Sequence, residues 1–279
     1  EYAYQYVVVR ADGQVKRISD LYSEKVLHPD DQYEPLRVDS TLKPYPQAAD
    51  GYCTVIQTGR ASYAWSDATL NFKRPDKNNL IIYELWVYDY TPFRSIPALA
   101  ERLDYLETLG VNAIELMPVC EFDGNYNWGY SPNHYFALDK AYGSPNMLKA
   151  FVDECHKRGM AVILDMVFNH ATGLNPMNKL YPYGTELKEN PWFNVTPPHS
   201  DNVYEDWNHD FVPAKTMFTR ALQYWLREYK VDGYRMDLSH GLCGTTNNAV
   251  SHIMDYYEKG VKAVAEDAYF ILEHWGSNM

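Results

Sequence analysis

The chain has 279 residues, 46% of them hydrophobic and 22% charged, which excludes a disordered polymer and leaves room for one large domain with a smaller companion. A net charge of −12 excludes the basic face that a nucleic-acid partner needs, and no apolar run reaches membrane-spanning length. The cysteines Cys53, Cys120, Cys155 and Cys243 are too widely spaced for a metal site or a disulfide framework and read as buried thiols. With 25 Tyr and 7 Trp the chain offers many ring faces of the kind on which sugars stack, although a large core uses aromatics as well.

Residues 1–75 read as a β-rich segment, the tail of a β-sandwich. Tyr4–Arg10 and Gln14–Ile18 form a hairpin around Ala11-Asp12-Gly13, and Gly51–Ile56 and Tyr63–Trp65 add further extended stretches. No signal peptide precedes Tyr4, which leaves localisation open. A polar linker, Lys73–Asn79, leads into residues 76–279, where strands and helices alternate. The strands are Leu80–Val87, Ala113–Met117, Ala161–Val167, Val231–Asp237 and Tyr269–His274.

Between the strands, Ile96, Leu99, Leu103, Leu106 and Leu109 have helical spacing and end at Gly110. Ser144 caps a second helix that has Pro145 in its first turn, buries Leu148, Phe151, Val152 and Cys155, and stops at Gly159. A long loop at about 171–212 is followed by a helix burying Phe218, Leu222, Trp225 and Leu226. A last helical region spans about 250–265.

Repeated β-α units with apolar strands predict an α/β fold with a parallel sheet. Either an open doubly wound sheet or strands 1–5 of a partial (β/α)8 TIM barrel fits. The lack of a Gly-rich loop after the first strand and the polar residues at the strand ends favour the barrel.

Arg235 and Asp237 lie two apart on a strand and therefore on one face. A cation there holds the carboxylate ionised, as a nucleophile needs, although an ion pair at a sheet edge has the same pattern. Glu273 ends the next strand, and adjacent strand ends are about 5 Å apart. That spacing would place Asp237 and Glu273 at the roughly 5–5.5 Å separation of a retaining glycosidase pair.

Four ordered motifs carry a resemblance to a known family. Gly110-Val-Asn-Ala-Ile-Glu-Leu-Met-Pro118, Asp165-Met-Val-Phe-Asn-His170, Gly233-Tyr-Arg-Met-Asp237 and Leu272-Glu-His274 resemble the motifs of the α-amylase superfamily of glycoside hydrolases. The resemblance runs across nearly all of residues 80–279. It implies Asp237 as nucleophile, Glu273 as general acid/base, and Arg235 holding Asp237 ionised with Asp165 as its brace. It also implies that His170 hydrogen-bonds the sugar of the −1 subsite and that Tyr130 stacks on it, with Trp128 and His274 completing the substrate-binding set. His134 reads as structural.

Trp128-Gly-Tyr130 followed by Tyr135-Phe-Ala137 is closer to debranching and branching members than to ordinary amylases. The resemblance implies an α-glucan substrate and no required cofactor. A structural calcium at Asn169 is in question, because Ser239-His240-Gly241 departs from the motif that helps to hold it. Two further expectations follow. The third carboxylate of the family and the C-terminal half of the barrel are missing from these residues, so the chain reads as part of a longer enzyme and as inactive by itself.

Overall fold

The computed structural model describes residues 1–33, 39–181 and 189–275. Near the N-terminus, β1 (Tyr2–Tyr4), β4 (Val26–Leu27) and β5 (Cys53–Ile56) form a three-stranded antiparallel sheet. β2 (Tyr6–Val9) and β3 (Val15–Ile18) form the hairpin expected around Gly13, whose φ of 83° suits glycine at the turn. Tyr63–Trp65 forms no strand: its two rings pack edge to face at 4.8 Å and the backbone there pairs with no sheet. Ile18 and Leu21 join the apolar core of the following residues, so this segment is packed onto the larger sheet.

That larger sheet holds β6 (Ile82–Leu85), β7 (Ala113–Leu116), β10 (Ala161–Met166), β13 (Gly233–Met236) and β14 (Tyr269–Leu272). All neighbours are parallel and the spatial order follows the chain from β6 to β14, without the reversal of a doubly wound sheet. This is the first-to-fifth-strand part of a (β/α)8 barrel. The runs Ala113–Leu116 and Ala161–Met166 are buried on both faces, as a sheet covered by helices requires. Between β7 and β10, β8 (Cys120–Phe122) pairs with β9 (Pro132–Leu138). In the long loop, β11 (His170–Ala171) pairs with β12 (Glu205–Asp206).

The helices follow the apolar spacing with two departures. Ile96–Ala100 and Leu103–Thr108 are separate short helices, and Leu109 is exposed. The last helical region is an α-helix, Ala249–Asp255, that widens into a π-helical stretch, Tyr256–Lys262. The helix Pro145–Lys157 buries Leu148, Phe151, Val152 and Cys155 as expected, with the Ser144 hydroxyl accepting the Met147 N–H. The longest helix, Val212–Glu228, packs along the π-helical stretch, where Gly260 lets Leu222 approach closely. No described helix is long and apolar enough to cross a membrane.

At the end of the sheet opposite the strand C-termini, Asp232 is fully buried. It accepts hydrogen bonds from the Val162 N–H (2.8 Å) and pairs with His156 Nε2 (2.8 Å) and Arg74 Nε (3.2 Å). Next to it, Gly233 sets how closely β13 approaches β14. A Cβ there would lie 2.4 Å from the Tyr269 carbonyl oxygen and 2.7 Å from its Cα. Because both obstacles are backbone, Gly233→Ala must part the two strands that carry Asp237 and Glu273. We expect it to cost about 2–4 kcal/mol of stability, read from a lower urea midpoint. An unchanged midpoint would contradict this packing.

Candidate active site

The register of the sheet builds the site. Asp165 pairs with Arg235, and Met236 pairs with Leu272, so the residues that follow, Asp237 and Glu273, leave neighbouring strands side by side. Leu238, immediately after Asp237, has φ 43°, a left-handed conformation rare for a branched residue. That turn aims the Leu238 N–H at Glu273 Oε2 (3.0 Å) and the Ser239 N–H at the Glu273 carbonyl oxygen (2.9 Å). The strained residue thus ties the segment after Asp237 to the segment that holds Glu273.

Arg235 sits at the centre. Its Nη1 donates to Asp165 Oδ1 (3.0 Å), Asp165 Oδ2 (2.9 Å) and Asp237 Oδ1 (3.0 Å), while Nη2 lies 2.9 Å from Glu273 Oε1. Tyr130 donates its hydroxyl to Asp165 Oδ2 at 2.8 Å. Residues from three segments far apart in sequence therefore meet on one guanidinium, with Tyr130 from a fourth held against Asp165, and Asp165 braces Arg235.

One cation for three carboxyls sets the electrostatics. Burial pushes Asp165 up to about 8 against the pull of Arg235, with the neighbouring Asp237 charge adding to the rise. Its contacts from Arg235 and Tyr130 are all donors, however, so we read Asp165 as the ionised member. Asp237 and Glu273 flank the same guanidinium and perturb each other's ionisation. Burial, opposed by Arg235 and helped by the neighbouring Glu273, raises Asp237 to about 6. Burial acts upward on Glu273 too, but the Leu238 N–H, the Trp275 side chain, Arg235 and Asp237 together hold it below the ordinary range. Burial lifts the Tyr130 hydroxyl as well, so it remains a donor at neutral pH.

The other expected residues are spread around this centre. His170 is 1% exposed and both its ring nitrogens are engaged: Nε2 with the Tyr130 carbonyl oxygen (2.8 Å) and Nδ1 with the Asn169 amide (3.1 Å). Burial lowers its pKa, so the ring is neutral. In this state it positions Tyr130 and offers no nitrogen to a sugar. His274 Nδ1 lies 3.1 Å from Ser239 Oγ, behind the turn that follows Asp237. Trp128 is 61% exposed on the rim, edge to face with Trp86 at 6.2 Å, which gives an open ring face beside the Tyr130 segment. His134 is buried against Ser19 Oγ (2.8 Å) and ties the N-terminal segment to β9, as its structural reading requires.

Asn169 tests the expected calcium. Its Oδ1 is buried and has no hydrogen-bond partner among the described residues, which suits a cation ligand. The space in front of it is closed. A Cβ on Gly241 would lie 1.9 Å from this oxygen and 2.9 Å from His199 Cε1, and Asp206 is committed to His199 Nε2 and the Asn194 amide, both at 2.8 Å. These residues, packed in this way, do not fit a calcium at Asn169.

Two acidic residues escaped the sequence reading. Glu84 and Glu115 pair across β6 and β7, and their oxygens lie within 4.8 Å of those of Asp165. Burial raises Glu115, with Glu84 adding to the rise and Arg235 opposing it. The signal was available: each is a lone acid inside an otherwise apolar strand, Ile82-Tyr-Glu-Leu85 and Ala113-Ile-Glu-Leu116.

Comparison with known proteins agrees with this geometry. Residues 95–215 match the family model "Alpha amylase, catalytic domain", a range that includes Tyr130, Asp165 and His170 and stops before Arg235. The chain is 33% identical over 221 residues to a malto-oligosyltrehalose trehalohydrolase from Saccharolobus solfataricus, covering 78% of this chain and 36% of that protein. It is 30% identical over 198 residues to an intracellular maltogenic amylase from Bacillus subtilis, covering 65% of this chain and 31% of that protein. The solved pullulanase of Paenibacillus barengoltzii superposes with a TM-score of 0.74 over 98% of this chain and 43% of that one, at 20% identity, and so shares the fold. The chain thus spans about a third of the length of these curated relatives. The ordered motifs and these matches together place residues 95–215 in the α-amylase catalytic-domain family, and the parallel strands around them have the fold of a solved pullulanase.

Proposed function

We propose that the full-length protein is a retaining glycoside hydrolase of α-glucans, with Asp237 as nucleophile and Glu273 as general acid/base. The observation that carries this reading is the three-way grip of Arg235 on Asp165, Asp237 and Glu273 at adjacent strand ends. In the first step Glu273 gives its proton to the glycosidic oxygen while Asp237 attacks the anomeric carbon. The bond to the leaving sugar breaks as a glycosyl ester forms. In the second step Glu273, now a carboxylate, takes a proton from water; that water attacks the anomeric carbon and releases Asp237. Two carboxyls and water suffice, so no organic cofactor enters.

This chemistry needs a proton on Glu273 and the charge on Asp237, whereas the present environment raises Asp237 and lowers Glu273. The Glu273 side chain is 22% exposed against 9% for Asp237. A sugar and further barrel residues covering Glu273 would raise it, so that it carries the proton the first step needs. Neither outer edge of the sheet, β6 or β14, has a strand partner among the described residues, and we place the remaining barrel strands and the third carboxylate there.

Starch, glycogen, pullulan and maltooligosaccharides make up the substrate class, with transfer to a second glucan as the alternative fate of the same intermediate. The residues of this chain alone are expected to be inactive. Incubating the full-length protein with maltooligosaccharides and pullulan, and following the first product by NMR, tests the reading. An α-anomeric product, or a transfer product, is expected. A β-anomer as first product would contradict a double displacement.

A further inference from the structure

The closed space at Asn169 has an occupant. The His199 ring is 2% exposed and held at both nitrogens: Nε2 donates to Asp206 Oδ1 (2.8 Å), and Nδ1 accepts the Asp201 N–H (3.2 Å). The second Asp206 oxygen accepts the Asn194 amide, which also donates to the Gly244 carbonyl oxygen (2.9 Å). Asp201 in turn contacts His240 Nε2 in the turn that follows Asp237. These contacts link residues 194–206 of the long loop to residues 240–244. Those lie just after the nucleophile strand and one turn from the Glu273 backbone that Ser239 holds.

We propose that His199 and Asp206 are positioning residues that seat the long loop on the catalytic strand ends in place of a structural cation. The physical requirement is the same in either design. Oxygen atoms from a loop and from the barrel face one buried spot and would be left without partners unless something donates to them. Here the His199 imidazole takes the spot: it satisfies Asp206, and its Cε1 lies beside the point where Gly241 approaches Asn169 Oδ1. The chain therefore needs no divalent ion to hold the turn that carries Asp237.

The test reads unfolding and metal binding, so it stands or falls separately from the proposed glycosidase activity. Thermal melts of the full-length protein are run in EDTA and in millimolar CaCl2. The expected result is the same Tm in both; a Tm lowered by EDTA and restored by calcium would overturn the proposal. His199→Gly opens the spot and frees Asp206. This variant is expected to melt lower than wild type and to recover by about 5 °C in calcium, with little response to magnesium. A lowered Tm indifferent to calcium would mean that His199 merely packs, and would also overturn it. Should His199→Gly not fold, calcium calorimetry on wild type and on Asn169→Ala decides. No binding that depends on Asn169 is expected, and calcium uptake by wild type that Asn169→Ala abolishes would contradict the proposal.

Discussion

Asp237→Asn is expected to lower the rate on α-glucans by on the order of 10⁴-fold or more and, at the same time, to raise the Tm of the protein. The activity loss follows because an amide cannot form the glycosyl ester. The stability gain follows from the crowding around Arg235. Asp237 is raised from 3.8 to about 6 by burial, against Arg235 and with Glu273 beside it. A carboxyl raised in the folded state stabilises the fold at pH values below its unfolded pKa and loses that contribution as pH rises through about 6. At pH 7 its ionised form therefore costs the fold, by about 1–3 kcal/mol. Asn removes that cost while keeping a carbonyl oxygen for the Arg235 Nη1. The gain in Tm should be larger at pH 8 than at pH 5. A variant less stable than wild type at pH 8 would show that Asp237 is a net stabilising partner of Arg235.

Arg235→Met has the opposite sign. It leaves Asp165, Asp237 and Glu273 facing one another with no cation, two of them buried. Removing one partner from a buried ion network costs about 3–5 kcal/mol, because the remaining charge stays desolvated and unpaired. The carboxyls can escape by taking up protons, so their folded pKa values rise further. The loss should then be small near pH 5 and grow as pH climbs through 7, read by urea denaturation at each pH. Activity falls too, since nothing then favours an ionised nucleophile. A stability loss that does not change with pH would show that Arg235 acts by packing and not by charge.

Much of the barrel could be read from the sequence because its physics is local. Apolar runs such as Ala161–Met166 predict buried strands, and Ser144, Pro145 and Gly159 mark the ends of a helix by capping and by backbone conformation. The break between Ile96–Ala100 and Leu103–Thr108 could not be read, since Ile96, Leu99, Leu103 and Leu106 keep helical spacing across it and are all buried. Arg235 and Asp237 were legible from their spacing of two, and Glu273 from its place at the next strand end.

The left-handed Leu238 gives no sign in sequence, because leucine is no turn former. His199, Asp201 and Asp206 lie in a loop some 30 to 40 residues from the segments they hold, where no periodicity operates. The ligand-free contacts of His170 gave no sign in sequence for a related reason. A motif fixes which residue stands at a strand end, whereas the Tyr130 carbonyl and the Asn169 amide decide where its nitrogens point.

The central claim, that Asp237 becomes covalently bonded to the sugar, is tested most directly by trapping the intermediate. The full-length protein is treated with a fluorinated α-glucosyl fluoride that forms the glycosyl ester quickly and hydrolyses it slowly, then digested and analysed by mass spectrometry. The account predicts one sugar on the peptide containing Asp237, with no label in Asp237→Asn. A label on Glu273, or turnover with no labelled peptide, would contradict it.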